Sequence, residues 1–349
     1  MNHFVIRLFF LLAGSALGCA EAVDNTEDEA SGSIIWEYRI REASGELEYA
    51  PAVRELFAAW EQHRGLPLKP GPKGKVGLKV YTNSGPGLAT PTALVRGIIE
   101  VLVERGWERK NVFILDLKAE LLREAGFLPK LSQNGDDFEG VPVYDLQSGR
   151  YFDERWFYDS SLPATMGRQF STKVEGGLGE GIDAERKSFL AVPLLLDADI
   201  WINLPMVTDH PSLGINGALA NATLWNVSNG HRFLKSVVNA PIAAAEIAAI
   251  PELKRNWMFS LLPLVRYQYV GGPRFHALYT RSEPLLWLSS DPVALDLLMY
   301  MRINVQREAK GFKPIEPRPE LLHYCERLHI GTSQENLVRR ITLPPYLWP

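Results

Sequence analysis

From residue 75 onward the chain alternates short apolar runs rich in β-branched residues with longer stretches whose apolar positions recur every three to four residues. KVGLKVYTN (75–83) reads as a strand. TPTALVRGIIEVLVERG (90–106) reads as a helix, with Thr90 as cap, Pro91 in the first turn and Gly106 as terminator. NVFILDL (111–117) is the next buried-type strand. Strand, loop, helix, glycine and strand in this order make a βαβ unit, which implies a parallel strand pair and a right-handed crossover. A second set follows. FLAVPLLLDADIWINLP (189–205) supplies one strand or two, SLGINGALANATLWNV (212–227) a short helix and APIAAAEIAAIPELK (240–254) a further helix. FHALYT and PLLWLSS read as strands before a long helix opening at Asp291-Pro292. The fold class expected is α/β, a mainly parallel open sheet flanked by helices, with an irregular insertion over 129–180.

Ahead of this region, Val53, Leu56, Phe57 and Trp60 have helical spacing within the section 35–70, and GLPLKPGPKGK (65–75) reads as a linker. The first 22 residues have the layout of a secretory signal: Arg7, an apolar core from Leu8 to Leu17, then small residues. Two endings compete: cleavage after Ala22, or a lipoprotein-like box ending at Cys19, which would then carry lipid. The acidic residues 23–34 read as a flexible tether. The expected division is therefore 1–22 signal peptide, 23–34 tether, 35–73 helical segment and linker, 74–310 α/β domain and 311–349 C-terminal extension. An exported protein, periplasmic or extracellular, follows, with a membrane reached only through lipid on Cys19.

Composition narrows the chemistry. A formal net charge of -4 gives no reason to expect nucleic acid as a partner. The two cysteines, Cys19 and Cys325, exclude a cysteine-ligated iron–sulfur cluster by count and make an internal disulfide framework improbable. No cofactor is identifiable. Cys325 reads as a hydrophobe on a helix face.

Ligands in open α/β sheets bind beyond the carboxyl ends of the strands, which points to the segments after Val80, Asp116, Asn203 and Leu288. The loop YTNSGPGLAT offers Asn83, Gly85, Gly87 and Thr90, whose backbone could approach an anion beside a helix start; its ordinary reading is a turn plus a cap. It lacks the Gly-Lys-Ser/Thr of a phosphate-binding loop. Lys79, inside a buried-type strand, needs a partner, a site or an exposed edge. In DIWINLPMVTDHPSLGINGALAN (199–221), His210 follows a strand and can act as base, ligand or hydrogen-bonding group. Asn203 and Asn221 could orient a substrate carbonyl or cap turns. Asp291 reads as a helix cap, and Asp296, about 140° further round, does not share its face. Neither a Gly-x-Ser-x-Gly elbow nor a His-Glu-x-x-His motif is present.

The segments KVGLKVYTNSGPGLATPTALVRGIIEVLVERG, DADIWINLPMVTDHPSLGINGALAN, YQYVGGP and LLWLSSDPVALD, in that order, resemble the domain of unknown function 362 family over roughly residues 74–300. The resemblance implies site roles for Lys79, Asp199, Asn203, His210, Asn221, Asp291 and Asp296. It also exposes departures: Thr208 and Ala220 stand where relatives carry Lys, and Leu262 or Pro263 where an acid is usual. Many relatives carry a ferredoxin-like cysteine cluster, which this chain lacks. Two functions are expected from these features. One is a site for a polar or anionic metabolite at the carboxyl ends of the strands, where, if the protein is an enzyme, Lys79 would hold the substrate's charge and His210 would move a proton. The other is a non-catalytic, lipid-tethered binding protein on a degenerate enzyme fold.

Overall fold

A computed structural model describes residues 32–133, 135–160 and 186–344, so the signal and most of the tether expected at the N-terminus lie outside the described residues. The described chain opens with β1 (Ser33–Arg39), a hairpin of β2 (Arg41–Ala43) and β3 (Glu46–Glu48), and helix α1 (Tyr49–Arg64). The expected βαβ unit follows as β4 (Val76–Lys79), α2 (Thr92–Glu104) and β5 (Val112–Asp116). After α3 (Ala119–Glu124) come β6 (Asp137–Phe138), β7 (Val141–Asp145), β8 (Phe157–Asp159) and β9 (Lys187–Phe189). Then come β10 (Ile200–Asn203), β11 (Thr208–His210), β12 (Gly214–Asn216) and α4 (Ala218–Ala222). Helices α5 (Asn239–Ala248) and α6 (Pro251–Asn256) lead to β13 (Trp257–Pro263), β14 (Tyr267–Gln268), β15 (Thr280–Arg281) and β16 (Leu285–Ser289). The chain finishes with α7 (Pro292–Ala309), α8 (Glu320–Arg327) and β17 (Val338–Thr342).

The protein is α/β. Its main sheet has nine strands in the order β17-β1-β16-β13-β10-β4-β5-β7-β6. The run β13-β10-β4-β5-β7 is wholly parallel, whereas β16 is antiparallel to both its neighbours and β6 to β7. A smaller sheet has the order β12-β11-β14-β15. On one face of the main sheet, Leu78, Ile114, Ile202 and Phe259 pack under Leu56 and Phe57 of α1 and Leu94 and Ile98 of α2. The residues that alternate with these point to the opposite face. There Phe113, Leu115 and Trp201 meet α4, α5 and α8, while Leu262 and Trp287 meet α7.

Several local expectations change once neighbours are present. Residues 33–39 form the second strand from one edge of the sheet, bonded to β16 and β17, so the sheet crosses the divisions drawn at 73 and 310. The helical spacing near residue 53 belongs to α1 alone. The segment 240–254 makes two helices, because Pro251 starts a new one instead of continuing the first. FHALYT holds a single turn of 3-10 helix, Ala277–Tyr279, and only its last residue, Thr280, enters a strand. The insertion at 129–180 extends the sheet through β7, parallel to β5; its residues 161–180 lie outside the described part.

Candidate functional site

Register places Lys79, Asn203 and Ser260 side by side on three adjacent parallel strands, all on the face covered by α4. A lysine in that row must be compensated, because it is fully buried. Its Nζ donates to the Val80 carbonyl at 2.8 Å, to Asp116 Oδ1 at 2.7 Å and to Asn221 Oδ1 at 2.9 Å. Burial lowers the Lys79 pKa, and the Asp116 carboxylate offsets this only in part. Three acceptors around one nitrogen call for three N–H groups, so the geometry is that of an ammonium.

That ammonium orients everything beyond it. Lysine can only donate, so Asn221 presents its oxygen to Lys79 and turns its NH2 toward Asn203 Oδ1, 2.8 Å away. Asn203 must then point its own NH2 outward, to the Ala218 carbonyl at 2.9 Å and Ser260 Oγ at 3.0 Å. On the other side, Asp116 Oδ2 accepts from the Thr82 backbone N–H and hydroxyl at 2.8 and 2.6 Å. Asp296 holds the start of α4, accepting from the Ala218 and Leu219 N–H groups at 2.6 and 3.0 Å. Gly217 permits this approach, since a Cβ there would lie 2.3 Å from Asp296 Oδ1. Burial raises the Asp296 carboxyl to about 7, outweighing the two N–H donors that favour its charged form.

The structure therefore brings Lys79, Asn203 and Asn221 together as the sequence suggests. It adds Asp116, Thr82 and Ser260, which the sequence reading did not assign to the site. The signal for Asp116 was an acid closing the buried strand next in sequence to the one that carries Lys79.

The glycine-rich loop stands beside this centre but faces protein. Phe275 N–H donates to the Ser84 carbonyl at 3.0 Å, Ser84 Oγ bonds the Pro273 carbonyl, and Arg266 donates to the Gly87 carbonyl at 2.8 Å. A Cβ on Gly87 would lie 2.2 Å from the Phe275 ring, so its lack of a side chain admits that ring. Gly85 adopts φ +91, a left-handed turn position with open space around it. The half-buried Asn83 has a buried side-chain NH2 without a partner. Thr90 does not cap α2: its hydroxyl donates to the Leu204 carbonyl at 2.7 Å and accepts from Tyr81 N–H at 2.8 Å, tying the loop's neck to the end of β10.

His210 lies in the smaller sheet and is not part of the Lys79 network. Its Nδ1 accepts the N–H groups of Ser212 at 3.1 Å and Leu213 at 3.3 Å, which closes the turn into β12. An accepting Nδ1 requires a neutral ring with its proton on Nε2. Burial lowers the His210 pKa to about 4, against a smaller opposing pull from Asp209. Asp209 itself accepts from the Gly271 and Gly272 N–H groups and from Arg307, so segments 208–216 and 267–276 are bound together. Thr208, Ala220 and Leu262 are all buried in packed interior.

Asp291 is at a different edge. Because β16 runs antiparallel to β13, its carboxyl end opens at the amino ends of the parallel strands. Asp291 caps α7 through Val293 and Ala294 N–H at 2.8 and 2.9 Å and accepts from Thr332 N–H at 2.8 Å and the Ser33 hydroxyl. Above it lies a cleft of about 620 Å³ bordered by α1, α6, Trp36, Trp257 and the segment before β17. Cys325 is a buried thiol within α8, its pKa raised by burial. Among the described residues no group of three His, Cys, Asp or Glu side chains is arranged to hold a metal, and no helix is long and apolar enough to cross a membrane.

No family model matches the chain. No curated protein matches it either. Among solved structures, it is similar to a Thermotoga maritima protein determined by a structural-genomics consortium, at 14% identity and a TM-score of 0.39. That match covers 75% of this chain and 59% of the other.

Proposed function

We propose that the protein is an exported, non-catalytic binding protein for a small polar or anionic molecule, built on an α/β fold in which the strand-end polar centre has become structural. The observation that carries this is the complete engagement of Lys79. Its three donors go to Val80, Asp116 and Asn221, leaving none for a substrate's charge. The same reading accommodates Gly87, which faces Phe275, and His210, whose Nδ1 closes a turn. The enzymatic alternative asks Lys79 to hold an anion and His210 to exchange a proton near neutral pH, and both groups are committed elsewhere. The resemblance to the domain of unknown function 362 family fits this reading, with Thr208 and Ala220 standing where that family's cations would be.

Native mass spectrometry of gently purified protein tests it. The expected result is a retained small molecule that persists in the Asn221→Ala variant, which keeps the Lys79–Asp116 pair but breaks the network. Loss of that molecule from a variant still folded by circular dichroism would overturn the reading.

A further inference from the structure

We infer that the cleft at the amino ends of the parallel strands binds a small organic anion whose charged group is attached to an aromatic or apolar ring. This rests on the reading of the chain as a binding protein and supplies the location and chemistry of its ligand. The cleft, at about 620 Å³, falls within the range of small-molecule sites and is formed where elements from both ends and the middle of the chain meet.

Its charge is the first argument. Arg64 at the end of α1 and Lys254 and Arg255 on α6 line it, together with two carboxylates, Asp291 and Glu326. Both acids already accept hydrogen bonds from protein groups. Asp291 serves the N–H groups of Val293, Ala294 and Thr332. Glu326 accepts from Ser333 N–H at 3.1 Å, Ser333 Oγ at 2.8 Å and Gln334 Nε2 at 3.1 Å. Two of the cations keep donors for a ligand. Lys254 makes one hydrogen bond, to the His329 carbonyl at 2.7 Å, which leaves two of its donors. Arg255 is exposed and, among the described residues, enters no ion pair. Three cations thus line the cleft against two acids, and the donors left over for a ligand are those of Lys254 and Arg255.

Its apolar wall is the second argument. Trp36 and Trp257 border the cleft with most of each indole buried, Trp257 being stacked on Trp201 at 4.9 Å. Rings held in place by packing give the cleft an apolar border of constant position, which suits a flat ligand body. Ser290, also in the lining, accepts from Trp60 Nε1 at 2.9 Å through its Oγ and keeps its own O–H to donate. Cation, hydroxyl and indole thus border one volume, the composition expected of a site for an anion carrying a ring.

The test uses phenyl phosphate as probe, with inorganic phosphate and phenol as its separate halves, titrated calorimetrically against the full chain. Phenyl phosphate is expected to bind more tightly than either half. Arg255→Ala and Lys254→Met are each expected to weaken it about tenfold, the effect of losing one charge-assisted hydrogen bond. Arg255 is exposed, so its variant is expected to fold normally, which thermal unfolding checks. No binding of phenyl phosphate at millimolar concentration, or binding unchanged in both variants, would overturn the inference. A native small molecule that stays bound in the Lys254→Met, Arg255→Ala double variant would leave the binding-protein reading standing and refute this location.

Discussion

The ammonium of Lys79 and the carboxylate of Asp116 are 2.7 Å apart with neither side chain exposed to solvent. They lie at the ends of neighbouring parallel strands, in a sheet whose register also delivers Asn203 and Ser260 to the same face. A buried pair of this kind gives little net stability against a well-packed apolar alternative, but it makes every partner indispensable once present. The amides of Asn221 and Asn203 have their orientations dictated by it, and through Ala218 the start of α4 is fixed as well.

Removing one amide should expose that dependence. Asn221→Ala leaves a Lys79 N–H and the Asn203 oxygen unpaired in a dry interior, and is expected to cost about 2–4 kcal/mol. Urea unfolding followed by tryptophan fluorescence reads the loss. A cost below about 0.5 kcal/mol, the size of an ordinary surface change, would mean that water replaces the amide.

His210 and Asp296 bend the pH profile in opposite directions. Burial holds His210 near 4 where the free side chain has 6.5, so the unfolded chain takes up that proton first on acidification. Its contribution to stability is complete above pH 6.5 and falls away toward pH 4, by about 3 kcal/mol at most. Asp296, raised from 3.8 to about 7, contributes fully below 3.8 and loses its contribution as pH rises toward 7. In His210→Gln only the first limb disappears. The stability gap between wild type and this variant should therefore narrow between pH 7 and pH 4.5, and a gap independent of pH would refute a neutral buried His210.

Gly87 is predicted to be replaceable only together with Phe275. An added Cβ would sit 2.2 Å from that ring, so Gly87→Ala should destabilise by about 1–3 kcal/mol through displacement of the covering segment. Combining it with Phe275→Ala should cost less than the sum of the two changes. Additive costs from thermal unfolding would show that the ring is not what the glycine accommodates.

Asp291→Ala removes a helix cap and strands the Thr332 N–H, so it should lose about 2–4 kcal/mol. Amide exchange should show the effect at the first turn of α7 and around residue 332. Exchange confined to α7 would mean that the C-terminal segment is held by other contacts.

Much of the fold was legible where information is local. The unit from Val76 to Asp116 declares itself through strand runs, helical periodicity and the terminating Gly106, and α7 through Asp291 and Pro292. What depends on distant neighbours was not legible. The direction of β16 is chosen by β13 and β1, and that choice moves Asp291 away from the strand ends where Lys79 lies. Residues 33–39 were hidden because their apolar run gains meaning only between β16 and β17, where buried Glu37 accepts from Trp287 Nε1 at 2.8 Å. At the site, the sequence marked Lys79, Asn203 and Asn221 as unusual for their surroundings. It could not show that they satisfy one another, since the partners come from residues 80, 116, 203 and 221. Thr90 teaches the same lesson: a residue with a cap's local signature has its hydroxyl used by Leu204, far along the chain.

The most direct measurement is a double-mutant cycle on Lys79→Met and Asp116→Asn by equilibrium unfolding. Lys79→Met alone is predicted to lose about 3–5 kcal/mol, because it leaves the carboxylate buried without its counter-charge. The double variant should be less destabilised than the sum of the singles, with a coupling of about 1–3 kcal/mol. Lys79→Met as stable as wild type, with no coupling to Asp116, would contradict the claim that Lys79 is committed to a structural centre.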